Sequence, residues 1–183
     1  MSQTGRPPRT RSGDPAPGLT FPRSTGKRSL IRHWIAGRGH ERASLRSNGK
    51  QYGTSVATID DVALMASKLP EVTEDERHGN RTWFVARKSF AWERPFSKAD
   101  LKRFGDETPP DGPILAVRVE DLGEKEAVLA AHPEIFFTIP HFDGYSAVLI
   151  QLRKVSVKAL RDAITDGWLA CAPPKLADQY LKR

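Results

Sequence analysis

One short stretch of the sequence combines side chains that bind phosphate with side chains that stack on bases. Residues 82–86 and 89–93 are rich in good strand formers and are joined tightly through two basic residues, which predicts a β-hairpin. Basic side chains at such a tip can contact nucleic-acid phosphates, and an exposed Trp83 or Trp92 would be available for stacking. The basic residues of this stretch are Arg81, Arg87, Lys88 and Arg94.

The same basic residues also have an ordinary structural explanation, because charges at a turn are solvated and protect a sheet edge from pairing. Net charge does not separate the two interpretations. Met1–Val56 carries 11 Lys and Arg against two acidic residues, a net of +9, whereas residues 57–183 carry 18 against 20, a net of −2. The basic character of the chain therefore comes from its N-terminal segment and does not by itself argue that the remainder binds nucleic acid.

A second candidate site lies at the turn within Ile135–Leu152. Two apolar arms flank Pro140 and Asp143-Gly144, and Asp-Gly is a strong hairpin signal because glycine accepts positive φ. The arms predict a buried strand pair, central in the sheet. At the tip, His141 and Asp143 either solvate and cap the turn, or His141 and Tyr145 bind a ligand.

Other chemistries find little support in the sequence. It contains no Gly-x-Ser-x-Gly, Walker or Gly-x-Gly-x-x-Gly motif, and its histidines are not spaced as metal ligands. An acidic cluster could hold a hard cation, although a solvated acidic face explains it more simply. We therefore expect no enzymatic activity, no cofactor and no metal. The cluster comprises Asp60, Asp61, Glu71, Glu74, Asp75 and Glu76.

Helix and strand signals alternate along the chain from Thr58 onward. Thr58 and Asp61, Asp121 and Glu124, and the N-caps Ser97 and Ser156 predict four helix starts. Strands are predicted at 114–119 and, with poor periodicity, at 71–77, and a last short helix at 176–181. This order predicts an α+β fold: a two-layer sandwich with helices on one face of a mostly antiparallel sheet. The longest helix carries an apolar stripe of Val157, Leu160, Ile164, Trp168 and Cys171.

The first 55 residues form a separate basic segment. They are rich in Arg, Pro, Gly and Ser, a composition that predicts disorder. Three interpretations remain open: an arm that binds nucleic acid or membrane, an organellar transit peptide, or upstream sequence that is not translated in the native protein. No run of apolar residues is long enough for a membrane span, and the single cysteine, Cys171, is consistent with a reducing compartment, so we expect a cytoplasmic protein.

Four segments together resemble the MmcQ/YjbR family of small bacterial proteins. They are GNRTWFVARKSFAWERP, ILAVRVEDLGEKEAVL, FFTIPHFDGYSAVLIQL and GWLACAPPKLADQYL, and the resemblance spans 57–183. It implies an α+β sandwich similar to the frataxin-like CyaY proteins. It also implies DNA binding through a double wing of hairpins, with Arg87 and Lys88 on one wing and His141 and Asp143 on the other.

The resemblance adds one further basic contact, Lys175, which follows the Ala-Pro of the last segment. Pro174 stands where the family pattern has another basic residue, which removes a possible phosphate contact. The leading hypothesis is therefore a DNA-binding protein with little sequence specificity that contacts the backbone through two wings. The alternative is a small protein-interaction or ligand-binding module that uses the aromatic surface around Trp83, Trp92, Phe142 and Tyr145.

The family resemblance places the first residue of the native protein at Val56, where organised sequence begins, and a valine codon can serve as a bacterial start. We expect mass spectrometry of the endogenous protein to find no peptide from within residues 5–46. Detection of such peptides would show that the basic segment is translated.

Overall fold

A computed structural model describes residues 56–182 and places them in one six-stranded antiparallel sheet with helices. The strand order is β1-β2-β3-β4-β6-β5. The strands are β1 Val72–Arg77, β2 Asn80–Val85, β3 Lys88–Glu93, β4 Ile114–Arg118, β5 Phe136–Phe137 and β6 Ala147–Gln151. The helices are α1 Ile59–Ala66, α2 Lys98–Phe104, α3 Leu122–Ala131, α4 Val157–Cys171 and α5 Pro174–Leu181. This confirms the predicted α+β class.

Side-chain caps fix the helix starts that the sequence predicted. Thr58 and Asp61 form a reciprocal capping box at α1, and Ser97 and Asp100 form another at α2. Asp121 caps α3 by accepting from the amide of Glu124, and Ser156 caps α4 in the same way. These bonds satisfy amides that have no partner within the helix.

The principal core lies between the sheet and α4, with α1 beside it. Trp168, Leu160 and Ile164 are fully buried there, whereas Val157, which the predicted stripe included, is 43% exposed. Val157 occupies the first turn of α4, where the helix begins before it reaches the sheet. Gly167 allows the closest approach: a Cβ at this position would lie 2.6 Å from Val117 Cγ1 and 3.1 Å from the Phe90 carbonyl. Only a glycine fits without a shift of the helix.

The β2–β3 hairpin is confirmed, and it turns one residue earlier than the sequence suggested. Ala86 and Arg87 occupy the two turn positions, both with positive φ (46° and 66°), and Lys88 already belongs to β3. Two consecutive residues of this kind give the strands the twist a tight hairpin needs. The register shifts between Trp83 and Phe84, and Trp83 is 1% exposed in the core. The expectation that Trp83 might stack on a ligand is therefore wrong.

The stretch Ile135–Leu152 departs most from its prediction. β6 is a fully buried strand, but β5 has two residues and lies at the edge of the sheet, not at its centre. The residues between them do not project as a hairpin tip. Instead, a 3₁₀ turn at Pro140–Phe142 folds back onto the sheet. The side chain of Phe142 is buried between the turn and the sheet, at 3% exposure.

The predicted acidic edge strand is confirmed as β1, whose residues are almost all exposed. At the other side of the sheet, the short β5 leaves little free edge. Among residues 56–182, no helix combines the length and the apolar content that crossing a membrane requires.

Asp100 should make the fold sensitive to acid. Its burial opposes ionisation, but bonds from Ser97 and the Arg94 guanidinium, 2.8 Å away, outweigh that effect and lower its pKa from 3.8 to about 2. The stabilisation is complete above the unfolded pKa and is lost as the pH falls through the folded one. Asp100→Asn should lower the free energy of unfolding by about 2 kcal/mol at neutral pH, and by progressively less below pH 4 (roughly the unfolded pKa).

The measurement is denaturant unfolding across this pH range. Asp106→Asn removes the same charge from an exposed position beyond α2 and serves as the control. A pH-independent loss of stability in Asp100→Asn would contradict an ionised Asp100.

Candidate functional site

The sheet face that points away from α4 is only partly covered. At one end, α2 and the turn at 140–145 bury a second, smaller apolar cluster that includes Ile114, Leu149 and Phe142. Towards the β2–β3 tip the face carries no helix. We call this uncovered part the open face, and its residues are Arg77, Phe84, Arg87, Ser89, Trp92, Arg118, His141 and Tyr145. Lys88 pairs with Val85 and therefore lies at the rim of this face, on the α4 side of the hairpin tip.

Two arginine guanidinium groups lie over aromatic rings on this face. The Arg77 guanidinium carbon is 4.8 Å from the centre of the Phe84 ring. That of Arg118 is 4.1 Å from the centre of the Tyr145 ring. Stacking of this kind holds a guanidinium in place while its N–H groups remain directed outward. The open face thus presents preordered cations.

Two adjacent recesses open on this face. The first, which we call the cationic recess, has a volume of about 480 Å³ and lies where the open face meets the C-terminal end of α4. It is lined by Arg77, Arg87, Lys88, Ser89, Arg118 and Glu120 together with Ala170 and Cys171 of α4. The second, which we call the aromatic recess, has a volume of about 590 Å³. It is lined by Trp92, Phe142 and Tyr145 together with polar groups. Arg77 and Ser89 line both, so the two recesses are adjacent, and we call them together the depression.

The cations of the cationic recess are not neutralised by ion pairs. Within residues 56–182, Arg77, Arg87, Lys88 and Arg118 form no salt bridge with a carboxylate. In addition, the Nε of Arg118 is buried and has no hydrogen-bond partner. Four positive charges against the single carboxylate of Glu120 around one concave surface give a positive potential that attracts anions.

A buried lysine holds the wall of the aromatic recess in place. Lys125 of α3 is 6% exposed, and its Nζ donates to the carbonyl oxygens of Phe142 (2.6 Å) and Tyr145 (3.1 Å). Burial lowers the pKa of Lys125, while the nearby Asp143 carboxylate acts in the opposite direction. Trp92 then packs on this wall, with its ring centre 6.1 Å from that of Phe142 and 6.3 Å from that of Tyr145.

Five of the seven residues predicted to contact DNA line the depression. Arg87 and Lys88 lie in the cationic recess, and Arg94, His141 and Tyr145 in the aromatic recess. Arg94 differs from the others because its guanidinium already pairs with Asp100 and donates to the Pro95 carbonyl. It is 17% exposed, so its main role is to tie α2 to the sheet.

The other two predicted contacts lie elsewhere. Arg81 is on the side of β2 that faces α1, where its guanidinium binds Glu74 at 2.6 Å and Asp60 at 2.7 Å. These two hydrogen bonds raise its pKa and occupy its Nε and one Nη1 donor. Lys175 is exposed in the first turn of α5 and lines neither recess.

Two cations of the depression, Arg77 and Arg118, were not predicted from the sequence. Arg77 ends a strand whose acidic composition hid it, and only the fold brings it over Phe84. Arg118 had a usable signal, because it follows Ile114 and Ala116 at a spacing of two and must share their side of β4.

The acidic cluster does not assemble a metal site. Among the residues that the structure describes, no group of three or more His, Cys, Asp or Glu side chains is placed to hold a metal ion. Two of its carboxylates, Asp60 and Glu74, bind Arg81, and Asp61 caps α1.

Comparison with known proteins decides the family. The sequence model of YjbR matches residues 67–170. The chain belongs to the YjbR family. Uncharacterised proteins of Mycobacterium bovis and Mycobacterium tuberculosis are 46% identical to it over 129 residues, covering 69% of this chain and 97% of theirs. A crystal structure of a Deinococcus radiodurans protein with a DUF419 domain matches at a TM-score of 0.46 and 21% identity, over 62% of this chain and 78% of that one.

Replacement of Lys125 by Met should loosen the wall of the aromatic recess. Lys125→Met keeps the length of the side chain but leaves the Phe142 and Tyr145 carbonyls without their donor, at a cost of roughly 1–3 kcal/mol. We expect faster hydrogen exchange at the amides of Asp143 and Tyr145, which are hydrogen-bonded within the turn.

The amides of α4 should exchange as before, because Lys125 does not support that helix. Lys158→Met is the control, since the Lys158 side chain lies on the solvent side of α4 and is 71% exposed. Unchanged protection of Asp143 and Tyr145 in Lys125→Met would show that the lysine does not hold the turn.

Proposed function

We propose that this YjbR-family protein is a non-enzymatic DNA-binding protein that holds the phosphate backbone on its open face, with little sequence specificity. The observation that supports this most directly is the cationic recess, where Arg77, Arg87, Lys88 and Arg118 carry charges that no carboxylate neutralises. Phosphate oxygens are the acceptors that a group of Arg and Lys donors suits best.

The hairpin tip supplies the part of the site that can reach a backbone. Arg87 and Lys88 are both exposed and stand at the end of β2–β3. The turn at 140–145 does not project from the sheet as a second wing would. It lies on the sheet and brings His141 and Tyr145 to the side of the same depression. The two wings therefore form one composite surface.

Charge argues for binding that is local and strongly dependent on salt. Residues 57–183 have a net charge of −2, so attraction must come from the recess and not from the average charge of these residues. Each phosphate neutralised by a cation releases condensed counterions, which weakens binding as salt is added. A backbone contact of this kind carries no sequence information.

The aromatic recess favours a second candidate, a module that binds a ligand or a protein segment through Trp92 and Tyr145, with the buried Phe142 packed behind them. Apolar contact buries no fixed charge and would be nearly independent of salt. The salt dependence of binding therefore separates the two candidates.

Arg87→Gln/Lys88→Gln should weaken binding of the full chain to duplex DNA and flatten its salt dependence. Loss of two phosphate contacts reduces the slope of log affinity against log salt by about 1.8. Fluorescence anisotropy with a labelled duplex at several salt concentrations measures both quantities.

Lys154→Gln/Arg161→Gln is the matched control, since it removes the same charge from exposed positions outside both recesses. An equal loss in the two double variants would assign binding to overall charge, including that of the N-terminal segment. A wild-type slope near zero would overturn the proposal of backbone binding.

A further inference from the structure

Binding of a phosphate backbone does not use the aromatic recess, although this recess lies beside the cationic one. A ligand that also fits the aromatic recess would account for both. Tyr145 is 39% exposed, and Trp92 is partly exposed, whereas Trp83 and Trp168 are buried. Exposed aromatic side chains are usually scattered singly over a protein surface, whereas here they line a concave wall. Polar groups of Asn80, Thr82 and His141 complete the lining.

A paired base cannot enter such a recess. In a duplex both faces of every base are stacked on neighbours, and only base edges, sugars and phosphates are accessible. An unpaired base, in contrast, offers its whole aromatic surface, and binding proteins take it up by stacking it on aromatic side chains. The aromatic recess therefore matches an unpaired base, with polar atoms at hand for its edges.

The adjacency of the two recesses matches the covalent structure of a nucleotide strand, in which each base is linked to a phosphate. Arg77 and Ser89 line both, so a phosphate held by the cations lies next to the aromatic wall. Arg118 joins the two chemistries in one contact, because it lines the cationic recess while stacking on Tyr145 at 4.1 Å. A single strand can place a phosphate in the cationic recess and a base in the aromatic recess, whereas a duplex can occupy only the cationic recess.

We propose that the open face binds single-stranded DNA in preference to duplex. Phosphates lie against Arg77, Arg87, Lys88 and Arg118, and an unpaired base enters the aromatic recess beside Tyr145 and Trp92. This rests on the proposed function and adds the form of DNA that is bound. Because stacking uses the aromatic surface that all bases share, the preference is for an unpaired strand and not for a sequence.

The test compares three labelled ligands of equal length at equal salt: a single strand, a duplex and an abasic single strand. The full chain should bind the single strand about tenfold tighter than either of the others, as one stacked base predicts. Tyr145→Ala should reduce this difference several-fold, and Tyr145→Phe should retain it, because the ring and not the hydroxyl makes the contact.

Tryptophan fluorescence provides an independent readout of base entry. The unlabelled single strand should quench the emission of the wild-type protein, and this change should be lost in Trp92→Phe. The loss would assign the signal to the recess, because Trp34, Trp83 and Trp168 are all retained in this variant.

Failure of this inference can be distinguished from failure of the proposed function. Equal, salt-dependent affinities for single strand, duplex and abasic strand would overturn the preference for unpaired DNA and leave backbone binding in place. Absence of salt-dependent binding to all three would overturn both. Equal affinities in Tyr145→Ala and wild type would likewise remove the aromatic recess from recognition.

Discussion

The two hydrogen bonds from Lys125 to the carbonyls of Phe142 and Tyr145 set the shape of the open face. Burial of Phe142 anchors the turn at 140–145 to the sheet, and these two bonds fix its carbonyls and so hold the wall on which Trp92 packs. A charged donor buried at 6% exposure is costly unless carbonyl oxygens replace its water. The sequence of α3 and that of the turn therefore depend on each other, although 17 residues separate Lys125 from Phe142.

The sequence was most informative where a local signal coincides with the final structure. Capping residues such as Thr58, Ser97 and Ser156 act within one helical turn, so their pattern identifies each helix start directly. The β2–β3 hairpin and the acidic edge strand β1 are equally local. The class of the fold follows from these elements and from the apolar stripe of α4.

The site was harder to predict because its parts come together through tertiary packing. Trp83 and Trp92 are two residues of similar sequence context, yet the irregular register of β2–β3 sends one to the core and leaves the other at the recess. Arg81 and Arg77 are both basic and close in sequence. Their fates differ because alternation along the strands places Arg81 beside Asp60 on the α1 side and Arg77 over Phe84 on the open face.

The acidic edge of the sheet also governs how neighbouring copies meet. β1 displays Glu74, Asp75 and Glu76 along its length, and all three are exposed. Two molecules that approached edge to edge would bring like charges together, which opposes the strand pairing that makes open sheets aggregate. The charge of this edge strand thus disfavours one route to self-association, the pairing of β1 with β1 of a second copy.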